Sequence, residues 1–155
     1  MGKIIYLVIL LLFSNACLAA GTSSNGDSKD SLYKGAKKLI LKAKKLEKKD
    51  KIEKALKLYA KAHDKLMKAY EKDKKNADIL NYLGFTLRKS GNFEVAEKFY
   101  LAGLEIEPNH KGINEYLGEL YIKTNRIELA KERLEVLKDC KCEEYEELKE
   151  LIEGK

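Results

Sequence analysis

The sequence predicts an all-α protein, an α-solenoid of antiparallel helix pairs closed by a C-terminal capping helix. Three observations predict it. From Leu32 onward the chain runs through Lys, Leu, Ala, Glu and Tyr without a proline until Pro108, the only one in 155 residues, which is the composition of long helices. Asn81-Tyr82-Leu83-Gly84 returns as Glu115-Tyr116-Leu117-Gly118, a spacing of 34 (118 − 84), and Ala130 follows Ala96 at the same distance. The helix breakers fall where hairpins need them, with Gly91 between two apolar-periodic runs and Pro108 after the second.

The first element is not part of that fold. Residues 1–19 start with Met1, Gly2 and Lys3, continue through the uncharged run Ile4 to Phe13 and reach small residues at Ala16, Ala19 and Ala20, which reads as a secretory signal peptide cleaved after Ala19 or Ala20. The apolar run is about half of the roughly 20 residues that a membrane-spanning helix needs. The rival reading is a lipoprotein acylated on Cys17, but a lipobox normally carries Leu where this chain has Ser14. The expected location is therefore the periplasm or the exterior. Residues 20–31 are polar and rich in Gly, Ser and Asp, and read as a flexible linker.

The helical elements follow in order, and the period of 34 resembles that of tetratricopeptide repeats. In residues 77–110 the match can be followed along the motif: Leu80 at the large position, Leu83-Gly84, Leu87 in the aromatic place, Gly91 in the turn, then Phe93, Ala96, Tyr100, Gly103 (usually Ala), Leu104 and Pro108. A second repeat, 111–142, keeps Leu117, Gly118, Tyr121, Ile127 and Ala130, with Asn125 in the turn and Cys142 where the family has Pro. Asn tolerates left-handed backbone better than most residues, so the turn is expected to survive. A degenerate repeat, 32–76, aligns Ile52, Ala55, Tyr59 and Ala62 with Phe93, Ala96, Tyr100 and Gly103. The following repeat then starts one heptad late, which predicts a second helix lengthened by about two turns with its apolar face preserved. Residues 143–154, with Tyr145, Leu148, Leu151 and Ile152 on one face, read as the solvating cap that repeat arrays need.

Charge divides the chain. Residues 27–77 hold 18 Lys against 8 acidic residues, and 78–155 hold 12 Lys plus Arg against 17, within a net charge of +6. A basic front and an acidic back predict contacts with anionic surfaces or proteins. Nucleic acid is disfavoured, because the Lys-rich part lacks Arg and interleaved aromatics for base stacking. The stripe Leu32, Ala36, Leu39, Ala43 and Leu46, flanked by Lys, raises the alternative of a module lying on an anionic membrane surface.

Little points to catalysis. His63 and His110 have no Cys or second His at ligand spacing, and there is neither a Ser-centred nucleophile motif nor a phosphate-binding Gly loop. No catalytic residue, metal or cofactor is expected, and Glu143-Glu144 and Glu146-Glu147 read as solvated surface. Cys140-Lys141-Cys142 supports three readings: a small disulfide at the junction with the cap, a redox-active pair of a thiol accessory protein, or half of a soft-metal site, the last being two ligands short. The structural disulfide is favoured, with free thiols its nearest rival.

The family resemblance implies a non-enzymatic scaffold or adaptor that holds a protein or peptide in a concave groove lined by the first helix of each repeat. Carried over by motif position, the groove residues are Asn81, Phe85, Arg88 and Lys89 with Asp78, then Glu115 and Glu119 with Gly112, Ile122 and Lys123. The degenerate repeat offers Lys44 and Lys48 with Lys37, Ile40 and Glu47. In this reading Asn81 bonds a peptide backbone, Phe85 is an apolar anchor and Arg88 takes a carboxylate. So short an array makes a homo-oligomer credible.

Overall fold

The computed structural model describes residues 27–154, which form seven helices: α1 (Lys29–Glu47), α2 (Ile52–Lys72), α3 (Ala77–Lys89), α4 (Phe93–Ile106), α5 (Lys111–Lys123), α6 (Ile127–Leu137) and α7 (Glu143–Glu153). The expected signal peptide, Cys17 and most of the expected linker lie outside the described residues. Among the described residues there is no strand, and no helix is long and apolar enough to cross a membrane. Helices α1 and α2, α3 and α4, and α5 and α6 pair as hairpins, and α7 packs on both α5 and α6.

The linker ends earlier than the composition suggested. Ser28 adopts extended backbone and its hydroxyl accepts from the Ser31 amide, so α1 starts at Lys29 within the polar stretch. Three turns then reuse one device. Asp50, Gly91 and Asn125 take φ of 56°, 84° and 59°, and the residue after each donates its amide back to the helix it leaves: Lys51 to Leu46 O, Asn92 to Leu87 O and Arg126 to Tyr121 O. The left-handed residue reverses the chain, and the long-reach bond closes the helix end. Helix α2 has 21 residues and α4 has 14, a surplus of one heptad that carries Leu66 and Ala69 into the core.

Small residues set how closely the helices approach. Ala55, Ala96 and Ala130 are fully or almost fully buried where each second helix meets its partner, and Tyr59 and Tyr100 fill the space beside them. Leu32, Ala36 and Ala43 are buried against this core, and Leu39 and Leu46 pack on it. The stripe that suggested a lipid-facing helix is thus occupied by α1's own neighbours, because a helix pair must bury its apolar faces somewhere.

Gly84 illustrates the cost of that closeness. A Cβ there would lie 2.5 to 2.8 Å from three atoms of the Tyr100 ring, which is fully buried and cannot retreat. Gly84→Ala gains about 1 kcal/mol in helix propensity and loses about 1–3 kcal/mol to overpacking, so a net loss is expected. At Gly35 a Cβ would meet only the flexible Lys65 side chain at 3.5 Å, and Gly35→Ala should stabilise by up to about 1 kcal/mol. Urea midpoints of the two variants should therefore move in opposite directions.

Candidate peptide groove

The first helices of the hairpins, α1, α3 and α5, together line one concave cleft. Lys44, Lys48, Phe85, Arg88, Lys89, Glu115 and Glu119 all line one cleft of about 460 Å³, joined by Glu47, Tyr116 and Glu147. A second cleft of about 470 Å³ shares Glu47, Arg88, Lys89 and Glu119 with it and continues past Phe93, Ile122 and Lys123 to Leu151. Most of the sequence-named residues are therefore assembled, but Lys37, Ile40, Asp78 and Gly112 line neither cleft, and Asn81 is buried outside the lining with its Oδ1 unpartnered.

Their condition differs from the expectation. Phe85 is only 1% exposed, with its ring edge-on to Tyr59 at 5.6 Å and tilted against Tyr116 at 4.9 Å. Lys44 Nζ lies 5.0 Å from the Phe85 ring centre and donates to the Tyr116 hydroxyl at 3.2 Å, and the Arg88 guanidinium is 5.5 Å from both rings. Cations thus cover an aromatic floor. Phe85 is a floor joist of the groove and not a free apolar anchor.

Arg88 also has a partner within the chain. Its Nη1 donates to Glu119 Oε2 at 2.6 Å, with side-chain exposures of 11% and 23%. Lys89 donates to Glu47 at 2.8 Å, and the Tyr59 hydroxyl donates to the other oxygen of that carboxylate at 2.8 Å. Burial alone would raise the Glu47 pKa, but the hydrogen bonds from Lys89 and Tyr59 hold it below the ordinary range.

The acidic end is crowded. Burial, a hydrogen bond with Glu147 and the charges of Glu119 and Glu147 push the Glu115 carboxyl up to about 9, with Lys44 opposing. Glu115 is therefore protonated at neutral pH. Its folded pKa is raised above the unfolded one, so the folded state binds the extra proton between them, and stability falls as pH rises toward 9. His63, whose pKa burial lowers, acts with the opposite slope only at lower pH. From about pH 7 to pH 9 the protein should lose about 1–2 kcal/mol of stability, and Glu115→Gln should flatten that decline. Thermal melts across the range, compared between the two proteins, measure it.

Two residues of the first cleft were not foreseen: Tyr116, which belongs to the repeated Tyr-Leu-Gly triplet, and Glu147, which arrives from the cap. Helix α7 reaches the groove because Leu148 seats on Gly118, whose absent Cβ would stand 2.6 Å from a Leu148 methyl. The helical spacing of Leu148 and Ile152 was the signal that would have turned Glu147 and Leu151 to one flank. Cys140 and Cys142 form a disulfide, Cα to Cα 5.2 Å, with Lys141 at φ 47° between them, at the junction of α6 and α7. Among the described residues no cluster of three His, Cys, Asp or Glu is arranged to hold a metal ion.

Known proteins resemble this architecture. A sequence model described as tetratricopeptide repeat matches residues 77–110. No curated protein sequence matches the chain. Among solved structures, the first TPR of Spaghetti (RPAP3) bound to an HSP90 peptide aligns at TM-score 0.50 and 21% identity, covering 79% of this chain and 93% of that one. The Yersinia enterocolitica type III secretion chaperone SycD, in complex with a peptide of the translocator YopD, aligns at 0.53 and 16%, covering 76% and 86%. The Arabidopsis OM64 TPR domain aligns at 0.52 and 13%, covering 79% and 98%. With a matched repeat at its centre and hairpins of the same build on either side, the chain has the fold of a tetratricopeptide repeat solenoid, and residues 77–110 match the repeat itself.

Proposed function

We propose that the protein is a non-enzymatic scaffold or adaptor that holds a segment of a protein partner in the concave groove. The observation that carries this reading is the lining itself, an aromatic floor of Phe85 and Tyr116 between a basic wall at Lys44 and Lys48 and an acidic wall at Glu115, Glu119 and Glu147. Two proteins of the same fold, the Spaghetti TPR and SycD, are seen with peptides, which supports a peptide as the class of ligand. Because Arg88 and Lys89 are neutralised by Glu119 and Glu47, the charges left to recognise a partner are at the rims. Lys48 favours an acidic residue at one end of the segment, and Glu147 favours a basic residue at the other.

Peptides with an acidic and a basic end, titrated by fluorescence anisotropy, test this. Charge reversal by Lys48→Glu or Glu147→Lys should weaken binding about tenfold, which corresponds to about 1.4 kcal/mol. Equal affinity of wild type and the double reversal for the same peptides would remove the groove from the function. The reading includes export through residues 1–19. Cell fractionation with N-terminal sequencing checks it: a chain starting at Ala20 or Gly21 supports cleavage, an acylated Cys17 supports the lipoprotein, and an intact Met1 in the cytoplasm defeats both.

A further inference from the structure

The two ends of the stack carry charges of opposite sign, and neither set is used within the molecule. On α1 the residues opposite the buried stripe are Lys34, Lys38, Leu41, Lys42 and Lys45, all exposed. They recur at helical spacing and form one outward face that includes Leu41, 59% exposed. At the other end, Glu143, Glu146 and Glu150 are exposed on the side of α7 opposite the buried Leu148.

Some exposed charges elsewhere are satisfied within their own helix. Lys98 pairs with Glu94, Lys131 with Glu128 and Lys138 with Glu135, each within one helix. The four lysines on α1 and the three glutamates on α7 make no such pair among the described residues. Like charges three and four residues apart repel along a helix, so each face is better satisfied by opposite charge from outside. Each face is also turned away from the helices its own helix packs on: among the described residues α1 packs chiefly on α2, and α7 on α5 and α6.

We propose that a second copy of this chain supplies the opposite charge, the acidic outer face of α7 docking end to end on the lysine face of α1. The contact joins two unlike surfaces at opposite ends of the stack, so it repeats from copy to copy and builds open chains. It rests on exposed charge around a single leucine, which makes it weak and strongly dependent on salt.

Sedimentation velocity of the protein over a range of concentrations tests it. At roughly 20 mM salt, where the Debye length is about 20 Å, the mean mass should rise with concentration beyond that of a dimer. At about 0.5 M salt it should return to the monomer. A variant with Glu143→Lys, Glu146→Lys and Glu150→Lys carries positive charge at both ends, and one with Lys34→Glu, Lys38→Glu and Lys45→Glu carries negative charge at both. All six positions are exposed, so each variant should keep its helices, which circular dichroism checks. Each should stay monomeric alone at low salt, and an equimolar mixture should associate again. The proposal is overturned if either variant associates as wild type does, or if the mixture stays monomeric. Wild type that remains monomeric at low salt while binding phosphatidylglycerol vesicles through the same lysines would assign the face to lipid and overturn it as well.

Discussion

Phe85→Ala is expected to destabilise the protein by about 3–5 kcal/mol, the loss typical of truncating a buried aromatic ring. The ring is 1% exposed and touches Tyr59 from the first hairpin and Tyr116 from the third, so its removal opens a cavity where three hairpins meet. It also strands the cations arranged over it, since Lys44, Arg88 and Lys89 all lie within 5.8 Å of the ring centre. Phe85→Leu keeps most of the volume and should cost much less, about 1–2 kcal/mol, mostly in lost ring contacts. Urea unfolding monitored by circular dichroism reads both. A loss below about 1 kcal/mol for Phe85→Ala would mean that the ring is not part of the core. The expected loss also bears on function, because weaker partner binding by a Phe85→Ala protein would report partial unfolding before it reported a missing contact.

The origin of that distinction lies in what a repeat pattern encodes. The spacing from Gly84 to Gly118 is a property of one hairpin copied along the chain, so the helices, their turns and the side each residue faces are legible from it. Asp50, Gly91 and Asn125 show how far this goes, since they occupy one place in three turns although only Gly91 is a glycine. The groove residues were legible to the same extent: Lys44, Phe85, Arg88 and Glu119 share a face because motif position determines face. Whether a groove residue is free or spent depends on distances between hairpins. Arg88 meets Glu119 across 31 residues and Lys89 meets Glu47 across 42, and no local pattern records either pairing. Glu147 was missed for a related reason. Its place in the groove follows from how far α7 leans over α5, which Leu148 and the absent side chain of Gly118 decide together.

Removing the Arg88 guanidinium while keeping the side-chain length, as in Arg88→Met, should cost about 2–3 kcal/mol. Breaking a buried ion pair by deleting one partner typically costs about 3–5 kcal/mol, and the lower figure applies because Glu119 is 23% exposed and water relieves part of the penalty. What remains is a carboxylate in the acidic wall with its nearest cation gone, so lost hydrogen bonding and an uncompensated charge add together. Neutralising it should therefore repair most of the damage: Arg88→Met with Glu119→Gln is expected within about 1 kcal/mol of wild type, since an ion pair replaced at both ends leaves no unpaired charge. If the double variant is as unstable as Arg88→Met alone, the loss comes from packing of the guanidinium on Phe85 and Tyr116 and not from the exposed carboxylate. The double variant also separates the two roles of the groove floor. A partner that binds it as well as wild type reads only the rims at Lys48 and Glu147, whereas one that binds it poorly competes with Glu119 for Arg88, and the ion pair is then a lock that the partner's own carboxylate opens.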